Sequence, residues 1–129
     1  MRIDRTTIAQ SGIAHVVVAF LLMGAWAVFA NRAYPMPTPL IAGAVQGALS
    51  GLITFGLKRL VERISRQCRG LASLLLPPVA AFTISVSLLT LLHAASGTPE
   101  IAATIAVPLT VSTSYAALYS WTLWQARRH

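Results

Sequence analysis

LIAGAVQGALSGLITFGL, residues 40–57, holds no Asp, Glu, Lys or Arg, and it runs directly into KRLVERISRQCRG, residues 58–70, which holds five cations. A helix rises about 1.5 Å per residue and needs roughly 17 to 25 apolar residues to cross hydrocarbon. The first segment has that length, and the second has the composition of a cytoplasmic flank. Three further uncharged stretches, residues 13–30, 71–93 and 101–124, repeat the pattern. Backbone groups find no water partner in lipid, so each stretch is read as a helix. The fold class is an all-α integral membrane protein with four transmembrane helices in one domain. Composition agrees: soluble domains carry roughly 25% charged residues, whereas this chain of 129 residues is 10% charged and 56% hydrophobic.

Charge placement gives the orientation. Of ten Lys and Arg, nine (Arg2, Arg5, Lys58, Arg59, Arg63, Arg66, Arg69, Arg127 and Arg128) fall on one side of a chain that crosses four times, and only Arg32 falls on the other. Both termini are therefore expected on the cytoplasmic side of a bacterial-type inner membrane. Trp26 and Tyr34 bracket the outer end of the first span, and Trp121 and Trp124 the inner end of the fourth. Residues 1–31 also carry a basic start, an apolar middle and a Val28-Phe29-Ala30 ending like a signal-peptidase site; they are read as a retained first helix. Thr38 with Pro39, and Thr98 with Pro99, have the pattern of an N-cap and first helical position. Glu100 is expected in the first turn of the fourth helix, where the dipole favours it. Residues 58–70 are expected as a basic loop, with the second helix running on to about Ile64. The two Thr-Pro devices lie 60 residues apart, which raises a duplication of two helical hairpins.

Gly43, Gly47 and Gly51 recur every fourth residue, so one helix face lacks side chains and admits another helix closely. Gln46, Ser50 and Thr54 form a polar ridge beside it, readable as a substrate path or as an interhelical hydrogen-bond seam, with the seam preferred. Thr83, Ser87 and Thr90 on the third span, with Thr110 and Thr113 on the fourth, form a second polar path if their faces meet. Pro77, Pro78 and Pro108 release backbone carbonyls from helix bonding. His15 and His93 lie at opposite ends of a bilayer about 30 Å thick and share no metal; each is read as an interfacial anchor. Cys68 is the single cysteine, so no internal disulfide is possible. Arg63, Arg66 and Arg69 are candidate contacts to anionic lipid head groups.

The sequence contains no paired carboxylates, no nucleophile with a base at workable spacing and no phosphate-cradling glycine loop. A non-enzymatic protein without a cofactor or metal is expected. Its cations are clustered at span ends rather than striped among aromatics, which argues against nucleic acid. No span holds a carboxylate, which argues against an ion-coupled small multidrug carrier. The topology is similar, at fold level and without shared residues, to small bacterial flippase-like proteins of polysaccharide pathways. Two functions remain in play. One is a protein that self-associates, or joins a larger membrane complex, through its glycine-faced helix; its partners are membrane lipids and another copy or a membrane-protein subunit. The other is a small transporter, channel or lipid flippase lined by the hydroxyls of the third and fourth helices.

Overall fold

The computed structural model describes the backbone of residues 5–128 and the side chains of residues 12–128; Arg2, the side chain of Arg5 and His129 lie outside the described residues. Four helices make up the fold: α1 (Arg5–Ala30), α2 (Thr38–Gln67), α3 (Leu71–Ser96) and α4 (Ile101–Arg128). Each is long and apolar enough to span a membrane. The large apolar side chains point outward, with Ile13, Leu52, Phe55 and Leu118 all more than 60% exposed. In water that surface would drive association; in a bilayer it meets acyl chains.

Inside the bundle the packing residues are small. The buried face of α3 is Ser73, Pro77, Ala81, Ser85, Leu89 and His93, and that of α4 includes Thr104, Pro108, Ser112, Ala116 and Ser120. Both stripes have a spacing of four, the geometry of one i±4n ridge set against another. Leu57 and Val61 of α2 join Ala81 and Ala116 in one apolar cluster, while Leu49 joins Leu89 and Ile105 in a second. The core thus lies where α2, α3 and α4 meet. Helix α1 lies against α2 and touches the start of α4, and it makes no contact with α3 among the described residues.

The glycine face of α2 is what holds α1. A Cβ on Gly43 would meet Val28 Cγ2 at 2.5 Å and the Gly24 carbonyl oxygen at 3.1 Å, and one on Gly47 would meet the Phe20 carbonyl oxygen at 3.0 Å. A Cβ on Gly51 would meet Val16 Cγ1 at 3.2 Å. Gly24 of α1 completes the seam, since its own Cβ would lie 3.0 Å from the Gly43 carbonyl oxygen. The expectation that this face serves a second copy or a partner subunit is therefore corrected: it is covered by α1 of the same chain.

The helix ends also depart from expectation. The basic segment is mostly helical, because α2 continues to Gln67 and only residues 68–70 connect it to α3. At the start of α2 the cap is Pro37, which has no side-chain acceptor; Thr38 is already helical, with its N–H donated to the Pro35 carbonyl at 3.1 Å. Glu100 precedes α4 and takes the cap position, its carbonyl accepting the Thr104 N–H at 2.9 Å. Thr98 instead follows the left-handed Gly97 (φ 79°) that ends α3, and returns its N–H to the His93 carbonyl at 2.9 Å. The two Thr-Pro turns therefore do different work.

The tandem prolines of α3 are answered from α4. Pro77 and Pro78 have no N–H to offer the carbonyls four residues earlier, which belong to Ser73 and Leu74. The Ser120 hydroxyl lies 3.1 Å from the first of these oxygens and 2.8 Å from the second. One fully buried serine thus supplies the donor that two prolines withhold.

Two outcomes are expected in thermal unfolding of the detergent-solubilised protein. Gly43→Ala and Gly47→Ala push rigid atoms and cost about 1–3 kcal/mol, whereas Gly56→Ala, in open space, is neutral or slightly stabilising. Ser120→Ala costs about 1–3 kcal/mol by leaving proline-freed carbonyls without a donor in lipid; restoring the donors with Pro77→Ala and Pro78→Ala in the same chain recovers much of that loss.

Candidate functional site

The densest polar cluster lies under the two turns, 31–37 and 97–100. It starts from the α3 stripe, whose spacing of four brings His93 to the buried face in the last turn, fully enclosed. Gln46 comes from α2, also fully buried. Its amide nitrogen donates to Ser50 Oγ at 2.8 Å, and its carbonyl oxygen is 2.7 Å from His93 Nε2. An amide oxygen only accepts, so Nε2 carries a proton, and in the neutral ring that leaves Nδ1 as the acceptor. The Thr98 hydroxyl donates to Nδ1 at 2.7 Å. Both ring nitrogens are thus engaged in a chain that links α2, α3 and the turn after α3.

Asn31, which follows α1 and is fully buried, organises the other half of this end. Its amide nitrogen donates to the Ala27 carbonyl and to Thr104 Oγ1, both at 2.8 Å. Its oxygen accepts the Glu100 N–H at 3.0 Å. The free amide at the start of α4 is therefore capped by a residue from the other hairpin. Thr104 Oγ1 donates in turn to the Glu100 carbonyl at 2.5 Å. Trp26 Nε1 donates to the Ala103 carbonyl at 2.9 Å, and Tyr34 Oη to the Glu100 carboxylate at 2.7 Å. That carboxylate, through the hydrogen bond first and also through its charge, raises the Tyr34 phenol above its usual range. Arg32 lies with its guanidinium 3.8 Å over the Phe29 ring.

Gln46 and Ser50 are therefore brought together, as members of an interhelical seam. Thr54 is not: it is exposed, and Ile53 turns inward in its place. The proposed meeting of hydroxyl faces on α3 and α4 is also corrected. Thr83, Ser87, Thr90 and Thr110 are all exposed, away from the helix contact. Thr83, Ser87 and Thr110 donate to the carbonyls of Val79, Thr83 and Ala106 on their own helices, at 2.8, 2.7 and 2.7 Å. A hydroxyl satisfied in this way can face lipid at little cost. Thr113 is half-buried, with its hydroxyl oxygen enclosed and unbonded among the described residues.

Sequence reasoning missed Asn31, Thr104 and the inward placing of His93. For His93 and Thr104 the detectable signal was the stripe spacing of four in α3 and α4, the same rule that found the glycines; Asn31, in the turn after α1, lies on neither stripe.

At the opposite end, Glu62 of α2 accepts from Tyr119 Oη at 2.5 Å and faces Lys58 Nζ at 4.0 Å. Arg127 of α4 donates to the Ser65 carbonyl of α2. Between these contacts lies a recess of about 150 Å³ lined by Glu62, Arg66, Leu123 and Arg127. Arg63, Arg66 and Arg69, predicted together as a head-group triad, are all exposed, as is Arg127, and of the three only Arg66 lines the recess. A separate apolar groove of about 430 Å³ runs along the outer surface between α2 and α3, past Ala48, Leu49, Leu92 and Ala95. No family model, curated protein or solved structure matches the chain.

A double-mutant cycle tests the network. Gln46→Leu and His93→Leu each strand buried polar partners and lower stability by about 1–3 kcal/mol. The double variant loses clearly less than the sum of the two, as measured by unfolding in micelles, because the groups that need each other are removed together.

Proposed function

We propose that this chain is a non-enzymatic polytopic protein of a bacterial-type inner membrane, with both ends in the cytoplasm, that serves as a subunit of a larger membrane assembly and docks through its lipid-facing surface. The observation that carries this reading is that most of the polar side chains on the candidate paths are already hydrogen-bonded within the protein; among the described residues, Ser65 Oγ and Thr113 Oγ1 are buried without a partner. Gln46 and Ser50, the side chains best suited to line a path, are hydrogen-bonded to each other, and Gln46 also to His93. The hydroxyls of Thr83, Ser87 and Thr110 bond back to their own helices. A transport path needs polar groups left available to a passing solute, whereas a packing module satisfies them within itself.

With the glycine face occupied by α1, docking falls to the outer surface. The groove between α2 and α3, where Ala48 and Ala95 keep the surface low, has the shape to take a helix of a partner subunit. The orientation rests on cation asymmetry, since Lys58, Arg59, Arg63, Arg66, Arg69, Arg127 and Arg128 lie at one end of the bundle and Arg32 at the other. The transporter or flippase reading retains a favourable observation, the enclosed and unbonded hydroxyls of Thr113 and Ser65.

Thiol labelling in membrane vesicles separates the two. With a membrane-impermeant maleimide, the native Cys68 reacts from the cytoplasmic face only, and Met36→Cys in a Cys68→Ser background reacts from the opposite face only. Ser50→Cys and Thr113→Cys in that background stay unlabelled from both faces. Ready labelling of the last two would favour an aqueous path, and labelling of Cys68 and Met36→Cys from one common face would reject the topology.

A further inference from the structure

The recess at the basic end carries an inference of its own, which rests on this end lying at the membrane surface as proposed above. Two of its walls are arginines from different helices, Arg66 of α2 and Arg127 of α4, and a third wall is the apolar Leu123. Arg127 is held in place by its bond to the Ser65 carbonyl, which uses one of the five N–H donors of a guanidinium. Arg66 has no hydrogen-bond, ion-pair or ring partner among the described residues. The acid in the recess, Glu62, is already answered by Tyr119 Oη at 2.5 Å and by Lys58 Nζ at 4.0 Å. The excess charge is therefore positive, and planar N–H donors from two sides match the oxygens of a phosphate.

Depth selects the source of that phosphate. Leu123 lies between Trp121 and Trp124 on α4, and the Trp124 ring carries the Arg128 guanidinium 4.5 Å from its centroid. Tryptophans of this kind settle at the level of lipid head groups. The recess, of about 150 Å³, is larger than a single water needs and opens outward, so a phosphate on an ester chain can enter it. The geometry points to a binding site for the phosphate of an anionic phospholipid, clamped between Arg66 and Arg127 with Leu123 against the start of the acyl region. It is a two-helix clamp, distinct from a diffuse basic surface, because Arg63 and Arg69 take no part in it.

The test uses the full-length protein in nanodiscs of phosphatidylcholine with a minor fraction of phosphatidylglycerol, reading retained phosphatidylglycerol by native mass spectrometry. Arg66→Gln and Arg127→Gln each lower retention about tenfold or more, the loss of a charge-assisted hydrogen bond to the phosphate, while Arg63→Gln and Arg69→Gln lower it by no more than the roughly fivefold of a cation acting diffusely at a membrane surface. Arg66→Gln breaks no internal bond, so its result stands even if Arg127→Gln unfolds. Glu62→Gln keeps an acceptor for Tyr119 and removes the negative charge, so retention rises, a sign that general loss of structure does not give. Equal losses across all four arginine variants would replace the clamp with a diffuse patch. Displacement of the lipid by inorganic phosphate at modest concentration would reassign the site to free phosphate and overturn the lipid assignment. Normal phosphatidylglycerol retention with reversed thiol labelling would sink the topology and leave the clamp standing; lost selectivity with correct labelling would do the reverse.

Discussion

Hydrocarbon offers no hydrogen-bond partner, and most of this structure follows from that constraint. Every backbone group released from a helix has to be met by a side chain inside the protein. Pro77 and Pro78 release two carbonyls, and Ser120 of the neighbouring helix meets both. The amide at the start of α4 is met by Asn31 from the other hairpin. Helix α3 ends at Gly97, and the threonine that follows closes it through both its N–H and its hydroxyl. The answers from Ser120 and Asn31 cross from one helix or hairpin to another, so satisfying the backbone there also fixes the arrangement of the helices.

Close approach is the second requirement, because lipid tails are as apolar as leucine and give helices little hydrophobic reason to pair. The chain meets it with small residues spaced by four. Gly43, Gly47 and Gly51 bring α1 to α2, and Ser, Pro and Ala stripes bring α3 to α4. Most bulky apolar side chains are left to the outside, where Leu52 is 70% exposed, and a few, among them Leu49, Leu57 and Leu89, fill the space where α2, α3 and α4 meet. The result is a thin bundle packed through its backbone, whose outer recesses are the features open to other molecules.

The two ends differ in kind. Under the turns, polar side chains answer one another, and Gln46, His93, Asn31 and Thr104 act as fasteners between helices. At the basic end Arg66 is left without a partner among the described residues, and Arg127 keeps donors to spare. Fastened polar groups hold a fold together; spare ones meet ligands. The proposed docking and lipid-binding roles therefore belong to the outer faces and the basic end rather than to the interior.

Residue types alone determined the four spans, because an uncharged run of helix-spanning length has few alternatives in a bilayer. The spacing of the glycines likewise announced a close helix contact, and Gln46 with Ser50 an interhelical seam. What the pattern did not contain was the partner of each face. Gly43 packs on α1 of the same chain, a fact of three-dimensional proximity that no local spacing encodes. Thr83 and Thr110 resemble Ser85 and Ser112 in composition, yet the first two face outward, since a hydroxyl bonded to its own helix is at ease on either side. His93 reads as an interfacial residue from its position at a span end, and Asn31 drew no reading at all; only the tertiary contacts, with Gln46 and Thr98 for the first and with Thr104 and Glu100 for the second, enclose them. The solvent of this protein is thus written in its composition, while its contacts were decided by which helices meet, because burial and hydrogen-bond pairing are properties of neighbours rather than of single segments.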